Sequence, residues 1–178
     1  MLRKGNILLR PISINDTEFI LELRNDLEIA SNFFSDPPVY DYEHLKWLNN
    51  HPKDIDLIIE YDGEKVGRIR LTNVDYRNQK AEYEIVLKKE YRRKGIAKTA
   101  SRLLIDYVFN NLPIRKIYLH VFEDNNAAIG LYKKLGFKVE GVFKEEIFKS
   151  GSWKNVLRMA LFRDEYIEKQ KVEGNKDR

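Results

Sequence analysis

Four cations, Arg92, Arg93, Lys94 and Lys98, crowd around Gly95, and the nearest other glycines are Gly67 and Gly130. Before them, Ile85, Val86 and Leu87 continue a strand-like run from Glu84. After them, Ile96, Ala100, Leu103, Leu104, Tyr107 and Val108 follow the 3.6-residue period of a helix. A strand that turns through cations into a helix start presents unpaired backbone N–H groups and the positive end of the helix dipole. That chemistry suits a phosphate or pyrophosphate held over Arg92 to Lys98. A Walker loop is excluded, because it needs glycine at positions 92 and 97, where the chain has Arg92 and Ala97. The dinucleotide fingerprint fails for want of further glycines. Taken alone, the same pattern also fits a surface helix that begins with solvated cations.

The flanking segments say what must position this loop. Asn6 to Arg10 reads as a first strand ended by Pro11. Asn15, with Glu18 three residues on, reads as the cap of a helix whose Phe19, Ile20, Leu23 and Leu27 form one face. Ser31 to Tyr40, with Pro37-Pro38, is an extended loop. Asp41 opens a short helix carrying Leu45 and Leu48 and ending before Pro52. These two helices and their aromatic link (Phe33, Phe34, Tyr40, Tyr42, Trp47) form a module ahead of the main sheet. Asp56 to Tyr61 and Lys65 to Val74 flank the hairpin signal Asp62-Gly63, and Lys80 to Leu87 is the next strand. Past the cationic helix, Arg115 to Phe122 is a strand that a right-handed crossover makes parallel to it. Asn125 begins a helix that buries Ala128, Ile129, Tyr132 and Leu135 and stops at Gly136. Phe137 to Lys149 and Trp153 to Phe162 pair across Ser150-Gly151. Residues 1–168 read as a single domain and 169–178 as a charged, disordered tail.

Composition bounds the function. The chain has 178 residues, 43% of them hydrophobic, which supports a packed core. It offers no membrane span and no apolar signal region, so a cytoplasmic protein is expected. Without cysteine there is no disulfide, thiolate metal site or Cys nucleophile, and three scattered histidines give no metal cluster. Thirty-two basic against 28 acidic side chains leave a mild +4, with dense cations only at Lys88 to Lys98 and at Lys133-Lys134. One polyanionic small molecule fits that distribution better than a nucleic-acid backbone does.

Two motifs together carry a family resemblance. Arg92-x-x-Gly95-x-Ala97 resembles the first signature of the GNAT family of acyl-CoA-dependent N-acyltransferases. Asn125, Ala128, Ile129, Leu131, Tyr132, Gly136 and Phe137 match its second, Asn-x-x-Ala-Ile-x-Leu-Tyr-x-x-x-Gly-Phe, in order and at a normal distance. The strand and helix order over residues 6 to 163 is also the family's order. The resemblance implies an α+β fold: a mixed, mostly antiparallel sheet of about seven strands with a central splayed parallel pair, and about four helices. The pantetheine arm of acetyl-CoA, the expected co-substrate, would lie in the opened V.

Residue roles follow from that resemblance. Ile85, Val86 and Leu87 would offer main-chain hydrogen bonds to pantetheine. The N–H groups of Arg92, Arg93, Lys94, Gly95, Ile96, Ala97 and Lys98 would hold the pyrophosphate. Asn125 would bind the arm or cap its own helix, and Lys133 completes the cofactor-binding set. Tyr132 would protonate or hydrogen-bond the departing CoA thiolate, although its spacing also suits plain packing. An amine with a pKa of ~10 must lose a proton before it attacks. Candidate bases are Glu82 and Glu84, which share a strand face with Val86, and His120, which titrates in the useful range. The two glutamates could instead pair with Arg68 or Arg70, and His120 could be satisfied by a backbone group. His44 and His51 have no supporting context.

Within the family the chain resembles the branch of ribosomal-protein N-terminal, spermidine and nucleotide-linked amino-sugar acetyltransferases. Val121 to Asn125 and Leu131 to Lys134 resemble the amino-sugar enzymes in particular, so a nucleotide-linked amino sugar is the first acceptor expected. Phe33, Phe34, Tyr40 and Trp47 could stack on it. Asp26, Glu28, Asp36, Asp41 and Glu43 could instead attract a polyamine, and a protein N-terminus is a further alternative. A homodimer is expected to be possible, and a non-catalytic acyl-CoA sensor is the competing class.

Overall fold

The structure is a computed structural model that describes residues 1–50 and 54–174. The chain opens with strands β1 (Leu2–Lys4) and β2 (Ile7–Pro11), then helices α1 (Thr17–Asn25), α2 (Leu27–Ala30) and α3 (Asp41–Asn50). Strands β3 (Ile55–Tyr61), β4 (Glu64–Asp75) and β5 (Lys80–Leu87) follow, leading into α4 (Ile96–Asn111). The remainder is β6 (Lys116–Phe122), α5 (Asn126–Leu135), β7 (Lys138–Lys149), β8 (Ser152–Phe162) and α6 (Arg163–Gly174).

Among the described residues the strands form one eight-stranded sheet in the order β1-β2-β3-β4-β5-β6-β8-β7. The strand beyond the expected seven is β1, a three-residue element that folds back on β2 with Leu2 opposite Leu9. Asp62 (φ 53) and Gly63 (φ 85) turn β3 into β4, and Ser150 and Gly151 turn β7 into β8, all with the positive φ of tight hairpin turns.

Every neighbouring pair is antiparallel except β5 and β6, which α4 connects. These two strands pair only through Lys80 with Lys116, Ala81 with Ile117 and Glu82 with Tyr118. Beyond Glu82 they part. The edges of Tyr83–Leu87 and Leu119–Phe122 that would face each other carry no ladder, and a V opens at the centre of the sheet.

The two sheet faces bury separate clusters. Tyr83, Leu87, Ile96, Leu104, Ile105, Ile117, Leu119 and Tyr132 belong to the main core, whereas Phe19, Ile20, Leu23, Ile29 and Ile58 pack α1 and α2 on the other side. Leu27 is not part of that second face. It starts the separate helix α2 and is 78% exposed. Nor does Asn15 cap α1: it lies within a 3-10 turn, and Asp16 closes the capping arrangement by accepting the Ser13 backbone N–H at 2.9 Å. Buried Asp16 also binds Arg10 through both oxygens and takes the Lys65 ammonium, each contact at 2.8 Å. At the other end, α6 extends to Gly174, so helix replaces the first part of the expected tail. Residues 175–178 and His51 lie outside the described residues. No helix among the described residues is long and apolar enough to cross a membrane.

Candidate active site

The cationic loop ends in a helix start built for an anion. Gly95 adopts φ +78, a left-handed conformation that a side chain would strain, and supplies no side-chain cap to α4. The helix bond series begins with Thr99 N–H donating to Gly95 C=O. The N–H groups of Ile96, Ala97 and Lys98 therefore have no helical acceptor. Arg93 (φ 63) and Lys94 are exposed beside them, and the Lys94 ammonium sits 5.1 Å from the centre of the Tyr91 ring. Arg92 turns partly inward, donating to Leu87 C=O at 3.3 Å. It also meets Glu28 of α2 at 3.0 Å, and Lys89 meets the other Glu28 oxygen at 2.6 Å. These groups fit a diphosphate: orphan N–H donors, a helix dipole and several cations converge on one turn.

The V supplies the next part. On one side β5 is held by β4, with Ile69 opposite Ile85 and Gly67 opposite Leu87. A Cβ at Gly67 would lie 2.3 Å from Val86 C=O and 2.5 Å from a Leu87 methyl, so only glycine permits this approach. On the other side the main chain of Ile85, Val86 and Leu87 has lost β6, and an extended ligand with amide groups can add there as a strand would. Asn125 caps α5 by accepting Ala128 N–H at 3.2 Å, while its amide nitrogen donates to Asn32 at 2.9 Å. Lys133 is exposed on the last turn of α5, in the lining of a cleft with Glu165 and Lys169 of α6.

Side-chain alternation divides the catalytic candidates between the two faces of the V. On the α5 face, Tyr132 packs edge-on to Tyr83, with centroids 6.1 Å apart, and 5.9 Å from Phe137. The Tyr83 hydroxyl is fully engaged, 2.6 Å from Ser101 Oγ. The Tyr132 hydroxyl takes no hydrogen bond among the described residues. Nor is it one of the fully buried unpartnered polar atoms, which are His44 Nε2, Arg158 Nε and Arg163 Nε. The residue keeps 8% of its surface exposed. Burial, and then the charge of Glu84, raise its pKa above the ordinary phenol value, so Tyr132 stays protonated across the physiological range.

On the opposite face, at the point where β5 and β6 part, His120 Nδ1 lies 2.6 Å from Glu82 Oε1. Burial raises the Glu82 pKa, but hydrogen bonds from His120 and Asn73 outweigh it and leave the carboxyl below its ordinary value. An ionised Glu82 can only accept, so His120 carries its proton on Nδ1 and leaves the Nε2 lone pair for a substrate proton. The backbone alternative for His120 is thereby replaced by a carboxylate. Glu84 is committed elsewhere: Arg70 donates both Nε and an Nη to its Oε2, at 2.8 and 2.5 Å. Arg68 does not reach Glu82 or Glu84; it binds both oxygens of Asp56.

The aromatic and acidic side chains of the α1–α3 module have partners of their own. Trp47 lies under Arg68 and Arg70, 4.6 and 5.4 Å from its ring centre, and Phe33 lies 5.2 Å from Arg24. Phe34 packs on Phe122 at 5.0 Å. Tyr40 stacks on Tyr42 at 5.6 Å. Asp26 caps α2 through Ile29 N–H, Asp36 binds Lys149, and Glu43 accepts Tyr40 N–H. Asp41 accepts the N–H of Tyr42. His44, without context in the sequence, is buried against Trp47. Desolvation, and then the charge of Arg68, lower its pKa to about 4, so it is neutral. Arg24, Asn73 and the close approach at Gly67 are what sequence reading did not single out near the site; Arg68 and Arg70 were named as partners for the glutamates, and Arg70 takes Glu84. The visible signal was Arg68-Ile69-Arg70-Leu71, two charges alternating along a central strand.

A family model described as the Acetyltransferase (GNAT) family matches residues 19–137, the segment that contains the V, the cationic turn and Tyr132. The chain belongs to the GNAT family. It is an acetyl-CoA-dependent N-acetyltransferase of that family, with the α+β fold and parallel splayed pair that membership entails. Spermidine N(1)-acetyltransferase of Escherichia coli (strain K12) is 33% identical over 172 residues, covering 95% of this chain and 92% of that protein. A crystal structure of spermidine N-acetyltransferase from Vibrio cholerae in complex with CoA and spermine superposes with a TM-score of 0.87 at 30% identity. It covers 92% of this chain and 99% of the other. A dodecameric structure of the Vibrio cholerae enzyme in an intermediate state gives a TM-score of 0.81 at 28% identity, covering 93% and 99%.

Proposed function

We propose that this GNAT enzyme transfers the acetyl group of acetyl-CoA to a primary amine of a small molecule by direct attack in a ternary complex. The observation that carries the reading is the pairing of chemistries on opposite faces of the V: the Glu82–His120 pair on one, the protonated Tyr132 phenol on the other. CoA would lie with its diphosphate on the Ile96–Lys98 N–H groups and its pantetheine along Ile85–Leu87. His120 Nε2 would take the proton of the ammonium nucleophile while Glu82 stabilises the resulting imidazolium. The amine nitrogen forms a C–N bond to the acetyl carbon as the C–S bond breaks. Tyr132 hydrogen-bonds the sulfur as it gains charge and keeps its own proton; the acetylated nitrogen sheds its second proton to solvent, and CoA leaves as a thiolate that solvent protonates.

Similarity to relatives named for spermidine ranks a polyamine ahead of the nucleotide-linked amino sugar and the protein N-terminus. The chain is further proposed to self-associate, since edge strand β7 leaves Val139, Val142 and Phe143 exposed, and Phe148 and Trp153 extend the apolar patch across the hairpin. The functional test is CoA-thiol release with acetyl-CoA and a panel of spermidine, spermine, a nucleotide-linked amino sugar and N-terminal peptides. Acceptor-dependent release is expected. CoA binding without release for any primary amine would leave a sensor in place of an enzyme.

A further inference from the structure

Glu82 has a second donor, and a break in the sheet supplies it. Strand β4 pairs Thr72 with Glu82 and then Asp75 with Lys80, so two residues, Asn73 and Val74, stand against the single Ala81. In an unbroken ladder residue 73 would point to the face away from Glu82. The bulge, with Asn73 at φ 48, turns its side chain back, and the Asn73 amide nitrogen donates to Glu82 Oε2 at 2.7 Å. The other oxygen, Oε1, faces His120 Nδ1 at 2.6 Å. Asn73 is exposed and belongs to neither buried cluster. A left-handed residue other than glycine costs free energy, and here that conformation brings one amide to one carboxylate.

The cation across the sheet is engaged elsewhere. Arg158 of β8 stands opposite His120 in register, but its charge is paired with Glu140 at 3.3 Å and it lies over the Tyr118 ring at 4.3 Å. The His120 ring is walled by Tyr118 and Phe143, each with its centroid 5.8 Å away. Rings on two sides set the imidazole, and a donor on Oε2 sets the carboxylate, so Oε1 meets Nδ1 in one orientation.

We propose that Asn73 is a positioning residue for the acyl transfer: its amide clamps Glu82 so that the carboxylate holds His120 with Nε2 free for the acceptor's proton. The proposal rests on the transferase reading above and adds a residue that acts only through Glu82.

The test uses two variants of the full chain. Asn73→Gly keeps the left-handed backbone and removes the amide, whereas Asn73→Asp keeps size and backbone preference but sets a second carboxylate against Glu82. With saturating acetyl-CoA and the acceptor that gives the fastest CoA-thiol release, each should lower kcat/KM by about 10- to 100-fold, the range of one hydrogen bond to a charged group. The Kd for acetyl-CoA and the melting temperature should stay close to wild type. In a Glu82→Ala background Asn73→Gly should cost less than about 3-fold, because the group it acts through is gone; a general loosening of the sheet would add in full. Nitrogen NMR of the imidazole, at a pH where the ring is neutral, gives a reading independent of turnover. His120, assigned by loss of its signal in His120→Gln, should carry its proton on Nδ1 in the wild type and lose that preference in Asn73→Gly. Wild-type kcat/KM in Asn73→Gly, or an equal loss with and without Glu82, overturns the proposal, and the base assignment survives if Glu82→Ala is itself slow. If Glu82→Ala keeps wild-type turnover, or no acceptor releases CoA, the chemistry assigned to the pair fails instead. The NMR signature then judges the clamp: a proton lost from Nδ1 in Asn73→Gly upholds it, and an unchanged tautomer overturns it.

Discussion

Replacing Tyr132 by phenylalanine isolates one hydroxyl. The ring keeps its contacts with Tyr83 and Phe137, and no hydrogen bond within the protein is lost, so the melting temperature should move by no more than about 2 °C. The rate effect can be bounded from the two pKa values. The Tyr132 phenol titrates above its ordinary value of 10.0, whereas a thiol titrates near ~8.5. Proton transfer from phenol to free thiolate is therefore uphill by at least ~2 kcal/mol. The hydroxyl accordingly acts mainly as a hydrogen-bond donor to sulfur while the C–S bond breaks. A donor aimed at developing charge contributes a factor of about 10² to 10³ in kcat. Tyr132→Phe should thus cost about 100-fold, or roughly 2.7 kcal/mol of barrier.

Steady-state CoA-thiol release gives kcat, and calorimetric titration gives the Kd for acetyl-CoA, which should change by less than about 3-fold since the loss is confined to the transition state. Because the phenol stays protonated, wild-type kcat should show no fall near pH 9 from its ionisation. A variant with kcat within about 3-fold of wild type would refute the role. So would a loss of the expected size that appears wholly as weaker acetyl-CoA binding.

Glu82→Gln removes the acceptor that fixes the His120 proton on Nδ1. The kcat/KM should drop by roughly 10² to 10³, checked by steady-state rates at saturating acetyl-CoA; a variant within about 3-fold of wild type would remove the Glu82–His120 pair as the base. Gly67→Ala places a methyl against Val86 C=O and should push β5 into the V. Acetyl-CoA affinity is then expected to fall by more than about 10-fold while far-UV circular dichroism is preserved. Asp16→Asn should lower stability by roughly 2 kcal/mol at pH 7, about 4–8 °C in melting temperature. The Arg10 contact, opposed by burial, holds the folded Asp16 carboxyl well below the usual range. Its contribution is therefore full above pH ~4 and fades as pH falls through the folded pKa, so the wild-type to variant gap should close on acidification.

What could be read in advance was whatever rests on local pattern. Gly95 and Gly136 both sit at left-handed positions beside helix ends, as their places after a strand and after an apolar period suggested. The hairpin at Asp62-Gly63 and the crossover from β5 to β6 followed from turn chemistry and from element length. Pairings between segments remote in sequence stayed hidden. Leu27 fell off the α1 face because the Asp26 cap starts a new helix, a choice between two adequate cap signals that tertiary packing decides. β1 escaped notice because three residues show no period.

The same limit explains why the acceptor is harder to read than the cofactor. The groups expected to hold acetyl-CoA are main chain and one turn, elements that leave a signature in consecutive residues. The cleft under α1 is assembled from α1, the loop at Phe33, β4 and β5, so its character depends on how distant charges cancel. Asp56 was placed only in a hairpin, and Glu84 was weighed both as a base and as a partner of Arg68 or Arg70; Asp56 neutralises Arg68 and Glu84 neutralises Arg70. Only after both are assigned does Arg24 emerge as the charge left over.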